Sequence, residues 1–193
     1  MPQKQKKLEI IGVSGAPGSF SEEAARHYAH QAGIKTYRLS FLVTVENVLS
    51  ALENGEITLG VFPVMNSIGG IVLETVYAMS KHNFSVKKIF HIEIHQNLLV
   101  KKGVTPGHIT HITSHDQALK QCMQYLKRMW PKVKIEEYED TAKAAEDLAA
   151  GKLPDTTAVI ASRAAAHLYK LDILEPSIQD LKDNQTTFIA ARA

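Results

Sequence analysis

Apolar and polar positions alternate along this chain in short blocks of two different periods. Leu8 to Val13 is a run rich in β-branched residues that ends in Ser14-Gly15-Ala16-Pro17-Gly18, and beyond Ser19 the residues Ala24, Ala25 and Tyr28 recur at helical spacing. Thr36 to Ser40 predicts a second strand. Thr44 is placed to cap a helix carrying Val45, Val48, Leu49 and Leu52, which Asn54-Gly55 closes. Leu59 to Pro63 predicts a third strand, and the turn Asn66-Ser67-Ile68-Gly69-Gly70 feeds a helix with Val72, Val76 and Met79 in register. This first part of the chain reads as three strand–helix units.

From Val86 to Val100 the pattern becomes one long extended stretch, too long for an ordinary strand and suited to a crossing between two lobes. The alternation then resumes. Ile109 to Thr113 reads as a strand, Ser114 as the start of a helix through Leu126, and Trp130-Pro131 as its stop. Val133 to Tyr138 is a strand, Thr141 caps an Ala-rich helix, Ala158 to Ala161 is a short buried strand, and Ser162 caps a helix that ends near Leu171. Ile173-Leu174 and Thr187 to Ala191 are extended. The predicted fold class is α/β: two α/β lobes with a cleft between them, one over about residues 8–84 plus the returning C-terminal segment, the other over about 96–180. Ligands of open α/β sheets bind beyond the carboxyl ends of the strands, so the loops after each strand are expected to face that cleft.

Composition narrows the function classes. Of 193 residues 45% are apolar and 22% charged, the make-up of an ordinary globular chain. Lys and Arg number 22 against 20 Asp and Glu, a net +2 that gives no basic surface for nucleic acid, so no nucleic-acid partner is expected. The lone cysteine, Cys122, shares helical spacing with Leu119 and Leu126 and reads as a packed core thiol. The polar start, Met1 to Lys7, has no apolar signal core, and no stretch reaches membrane length. A cytoplasmic protein without a membrane partner is expected. His91, His95, His108 and His111 come without carboxylate or thiolate at a ligand spacing, so neither metal nor cofactor is expected. Gly12-x-x-Gly15-x-x-Gly18 has the wrong spacing for a dinucleotide loop.

The helix-entry loops carry the candidate chemistry: Ser19, Asn66, Ser67, Ser114, His115, Thr141 and Ser162. Each is a small hydroxyl, amide or imidazole suited to capping. Several such N-termini converging on one cleft would also hold a small polyanion, each contributing about 0.3–1 kcal/mol through N–H groups and the helix dipole.

The strings themselves carry a resemblance. Gly15-Ala16-Pro17-Gly18-Ser19-Phe20-Ser21 is similar to the opening motif of the prephenate dehydratase family, and Val61-Phe62-Pro63-Val64-Met65-Asn66-Ser67 to its strand ending in Val-Pro-Ile-Glu-Asn-Ser. Ser114-His115-Asp116-Gln117 with Gln121-Cys122 resembles its Ser-His-Pro-Gln helix start. Ala158 to Leu174 is similar to its Ala-Ile-Ala-Ser segment, and Asn184-Gln185-Thr186-Thr187-Phe188 stands where it carries Asn-x-Thr-Arg-Phe. The five blocks fall in the family's order from Ile10 to Ala191.

The resemblance implies two lobes of the type II periplasmic-binding-protein kind, a catalytic domain without the family's ACT or chorismate mutase domains, and association into a homodimer or higher oligomer. It further implies a lyase of phenylalanine biosynthesis that removes water and carbon dioxide from a small-molecule substrate, prephenate, to give phenylpyruvate. Thr186 is then the expected catalytic proton donor, with Ser19, Asn66, Ser67, Ser114, His115, Ser162 and Phe188 orienting substrate. Three positions depart from the motifs: Met65 stands for Glu, Asp116 for Pro, and Thr187 for Arg. The lost Glu and Arg read as a charged pair removed as a unit. Two rival readings stay open: a module that binds an aromatic-pathway acid without turnover, and a decarboxylase that leaves the ring hydroxyl in place.

Overall fold

A computed structural model describes residues 8–193, so the expectation for the polar segment Met1 to Lys7 lies outside the described residues. Two sheets organise the chain. The first contains β1 (Glu9–Val13), β2 (Tyr37–Phe41), β3 (Leu59–Asn66), β4 (Gly70–Ile71), β5 (Ser85–Glu93) and β11 (Gln185–Arg192). The second contains β6 (Asn97–Val100), β7 (His111–Ser114), β8 (Lys134–Glu137), β9 (Thr157–Ala161) and β10 (Asp172–Glu175).

Both sheets are wired alike. In the first the order is β2-β1-β3-β11-β5, with β1, β2 and β3 parallel and β11 antiparallel to both neighbours. In the second the order is β8-β7-β9-β6-β10, again three parallel strands, then an antiparallel one, then an edge. The antiparallel strand of each lobe, β11 or β6, is the one that has just crossed from the other lobe. The long extended stretch therefore resolves into β5 and β6, one in each sheet, joined by a crossing through Ile94 and Gln96.

Seven α-helices among the described residues cover the faces of the two sheets: α1 (Phe20–Gln31), α2 (Val45–Glu53) and α3 (Leu73–Met79) in the first lobe, and α4 (Asp116–Gln121), α5 (Met123–Met129), α6 (Thr141–Ala149) and α7 (Arg163–Tyr169) in the second. Strand alternation divides β11 between two cores. Phe188 and Ala190 pack with Ala24, Ala25, Tyr28 and Ala29 of α1, whereas Ile189 and Ala191 pack with Val45, Val48, Leu49 and Leu52 of α2. Each large side chain so buried contributes about 1.5–3 kcal/mol. In the second lobe Cys122 is fully buried between α4, α5 and the sheet, and burial pushes its thiol up to about 12.

Two helix expectations are corrected. The helix expected from Ser114 through Leu126 is two helices broken at Cys122, because α5 receives a cap from far away: the Asp180 carboxylate accepts from the N–H groups of Gln124 and Tyr125, both at 2.8 Å. The cap of α6 is Asp140 rather than Thr141, with its carboxylate accepting from Ala142 and Lys143. Thr44 and Ser162 cap α2 and α7 as expected. Among the described residues no helix is long and apolar enough to cross a membrane.

Candidate active site

A cavity of about 610 Å³ opens between the two sheets at the carboxyl ends of their parallel strands. Its walls include Phe20 and Ser21 of α1, Gly69 to Glu74 of the β4–α3 segment, His115, Gln117 and Gln121 around α4, Thr141 of α6, Gln96 of the crossing, and Asn66, Thr186 and Phe188. First-turn residues of four helices thus face one space. Among the described residues that line it there is no Lys or Arg, and Glu74 and His115 are the titratable side chains.

Thr186 and Asn66 are register partners on β11 and β3, so their side chains share a face. The two N–H groups of the Asn66 amide are shared among Asn184 Oδ1 at 2.8 Å, Thr186 Oγ1 at 2.9 Å and Gln185 O at 3.1 Å, while Asn66 Oδ1 accepts from the N–H groups of Ile68 and Gly69. That leaves the Thr186 hydroxyl an acceptor from Asn66, with its own proton donated to no group among the described residues. A half-buried hydroxyl held in this way presents its proton to the cavity.

β3 makes this turn through a bulge. Thr187 pairs with Met65 but Phe188 pairs with Pro63, which leaves Val64 as the extra residue. Proline has no N–H for a ladder, so a bulge is where a strand interior tolerates it. The carbonyls freed there are taken up by the β4–α3 segment: Thr75 Oγ1 donates to Pro63 O and Val72 N to Val64 O.

Of the eight expected site residues, four line the cavity: Thr186, Asn66, His115 and Phe188. Phe188 is fully buried and stacks on Phe90 with centroids 6.0 Å apart, so it forms the apolar floor. His115, and not Ser114, caps α4; its Nδ1 accepts from Gln117 N, which leaves Nε2 to carry the proton of the neutral ring. Ser114 is fully buried, and its hydroxyl donates to Ile160 O inside the second sheet. Ser67 lies behind the turn, accepting from Gln185 N and donating to Asp183 O, and so ties the returning crossing to β3.

Ser19 and Ser162 meet at a contact between the lobes. Ser19 caps α1, while Ser162 caps α7 and donates its hydroxyl to Gly18 O. Beside them Glu23 of α1 accepts from Ala164 N at the start of α7, and burial pushes its carboxyl above the usual range. A side chain on Gly18, whose φ is +84°, would stand 3.1 Å from Ala165 Cα. These residues hold the lobes together at one edge; they do not line the cavity.

Two residues without an assigned role in the sequence complete the site. Asn184 Nδ2 donates to Gln121 Oε1 at 2.9 Å, and Gln96 Nε2 donates to the same oxygen at 3.0 Å. A chain of amides therefore runs from Gln121 on α4 through Asn184 and Asn66 to Thr186. Both Gln121 and Asn184 sit inside motif strings, which was the available signal; their contact spans 63 positions.

A family model described as prephenate dehydratase matches residues 11–193. The chain belongs to the prephenate dehydratase family. Among relatives, arogenate dehydratase 5, chloroplastic, of Arabidopsis thaliana is 36% identical over 182 residues, covering 93% of this chain and 41% of that protein. The prephenate dehydratase of Lactococcus lactis is 33% identical over 190 residues, covering 92% of this chain and 61% of that one. The chain thus spans about two-fifths to three-fifths of the length of these relatives. In fold, the prephenate dehydratase of Arthrobacter aurescens solved in complex with L-Phe superposes with a TM-score of 0.82 at 24% identity, over 95% of this chain and 60% of that one. The family's fold of two α/β lobes around a cleft is the fold of this chain.

Proposed function

We propose that this chain converts prephenate to phenylpyruvate, water and carbon dioxide, with Thr186 as proton donor. The observation that carries the reading is the Asn66 to Thr186 bond, which fixes the hydroxyl as an acceptor and leaves its proton toward the cavity. In the reaction the bond from the ring to its carboxylate breaks and its electron pair enters the ring. The bond to the ring hydroxyl breaks as that oxygen takes a proton through the Thr186 hydroxyl, which is reprotonated from solvent water, and leaves as water. Aromatisation supplies the driving force, so the site has to orient the acid, keep the ring carboxylate in apolar surroundings and assist the leaving oxygen. Phe188 provides an apolar floor. His115 and the first turns of α1 and α6 supply donors for carboxylates in a cavity with no lysine or arginine among its described lining residues. The family's membership and the names of the Lactococcus and Arabidopsis relatives support the reaction class.

The same proposal includes roles in substrate orientation for Asn66 and His115, a cytoplasmic setting, and association of two or more copies of the chain. The test is to incubate purified protein with prephenate, and separately with arogenate, and to identify the products by mass. Phenylpyruvate from prephenate is the expected result. The uncharged pair Met65 and Thr187, where the family motifs carry Glu and Arg, favours as a second reading binding without turnover; unchanged prephenate with measurable affinity is its signature.

A further inference from the structure

We infer that Gln121 is both a substrate-carboxylate ligand and the residue through which the second lobe positions Thr186. This rests on the functional reading above and extends it to a residue with no role so far. The orientation of its amide is set by its neighbours. Oε1 accepts from two donors at once, Gln96 Nε2 at 3.0 Å and Asn184 Nδ2 at 2.9 Å. An amide whose oxygen is doubly engaged as an acceptor must turn its N–H₂ the other way. The other way is the cavity: Gln121 lines it, and its Nε2 donates to no group among the described residues.

The Asn184 amide is itself fixed, and the Gln96 backbone is held, while Gln96 Oε1 is buried with no partner among the described residues. Asn184 Oδ1 accepts from Asn66, whose amide also donates to Thr186, so the direction of every bond in the chain is determined from one end to the other. Gln96 is buried, its backbone N–H donates to Gln179 Oε1, and its carbonyl accepts from Ile178 N. The backbone of Gln121 is held as well, its carbonyl accepting from Asp180 N in the returning crossing. Gln121 therefore touches both interlobe crossings while standing on α4 of the second lobe.

The chemistry of the ligand follows from the donor set. A cavity with no Lys or Arg among its described lining residues, presenting amide N–H₂ groups and helix first turns, recognises carboxylate through neutral donors. A carboxylate seated on Gln121 Nε2 pulls on an amide whose other end fixes Asn184 and, through it, Asn66 and the Thr186 hydroxyl. Binding in one lobe is thereby linked to the placement of the proton donor in the other.

Two substitutions separate the functions of the two ends. Gln121→Glu keeps an oxygen for Asn184 and Gln96 but puts an anion where the N–H₂ was. The expected result is a rise of about ten- to a hundredfold in KM for prephenate with kcat held within about threefold, the loss of a donor to a charged group. Gln121→Leu removes both ends, and kcat should also fall, by about a hundredfold, as Thr186 loses its fixed position. Thermal melts of both variants, compared with the parent, exclude unfolding as the cause. An unchanged KM in Gln121→Glu overturns the ligand role, and equal kcat in Gln121→Leu overturns the positioning role. If the parent protein shows no turnover, the same comparison is made on prephenate affinity by calorimetry, where equal affinity of parent and Gln121→Glu overturns the inference. A parent that neither turns over nor binds prephenate overturns the functional reading first, and the inference with it.

Discussion

Met65 on β3 and Thr187 on β11 stand directly opposite each other across the first sheet, while the adjacent pair, Asn66 and Thr186, faces the cavity. Where the family motifs carry Glu and Arg, this chain has put two uncharged residues at facing positions. Neither lines the cavity, and Met65 is 46% exposed. Removal of one charge would have left the other without its neighbour; removal of both leaves an ordinary cross-strand pair.

Restoring the motif residues tests that account. In a double-mutant cycle, M65E and T187R together should be more stable than the sum of the single changes by about 0.2–1 kcal/mol, the range of an exposed ion pair. Urea unfolding of the four proteins gives the coupling. A coupling of zero means that the two positions do not interact.

Thr186→Ala should lower prephenate turnover by about 10²- to 10⁴-fold, the range for loss of a positioned proton donor, while the urea midpoint moves little. Thr186→Ser, which keeps the hydroxyl and the bond from Asn66, should retain most of the rate. Turnover of Thr186→Ala equal to the parent removes this hydroxyl from the mechanism.

The physical reason that the fold was legible and part of the site was not lies in the range of the interactions. Thr44, Asn54 and Gly55 bracket α2 by local chemistry, and the strands announce themselves by β-branched runs, so these elements fall close to where the pattern puts them. The break at Cys122 contains no Gly or Pro. It is made by Asp180, 56 positions from Gln124, and no window along the chain can show that. The same holds for the site. Thr186 and Asn66 were visible as motif letters, but the bond that gives them a direction joins residues 120 positions apart. Ser114 looked like a helix cap because serine caps helices; its hydroxyl instead serves the neighbouring strand, and the imidazole one position on does the capping.

A pH dependence is built into the surface where α3 meets α2. His82, just beyond α3, places Nδ1 2.7 Å from Glu53 and Nε2 3.1 Å from Glu46, and these bonds, that to Glu53 first, raise its pKa above the ordinary histidine value. Both glutamates are correspondingly lowered, each chiefly by its bond to His82. A raised histidine stabilises the folded state fully below its unfolded pKa of about 6.5, and that stability fades as pH rises through the higher folded value. The lowered carboxylates act in the opposite sense: their stabilisation is present above an unfolded value of about 4.3 and is lost in acid. His82→Gln should therefore cost stability at pH 6 and much less at pH 9, read as the shift in urea midpoint. An equal loss at both values assigns the effect of His82 to packing.

The interleaved wiring of the two sheets has a consequence for biosynthesis. The second lobe is drawn from one uninterrupted stretch, Asn97 to Asp180, which includes the core residue Ile178 and the α5 cap Asp180, and can assemble as soon as that stretch has left the ribosome. The first lobe cannot. Its sheet waits with a gap between β3 and β5 until Gln185–Arg192 arrives, and Phe188, Ile189, Ala190 and Ala191 of that strand complete the cores on both faces. Thr186 travels on the same strand, so its hydroxyl enters the molecule with the piece that closes the sheet. A nascent chain can carry a folded second lobe, but no half-built form of the first can carry an assembled site.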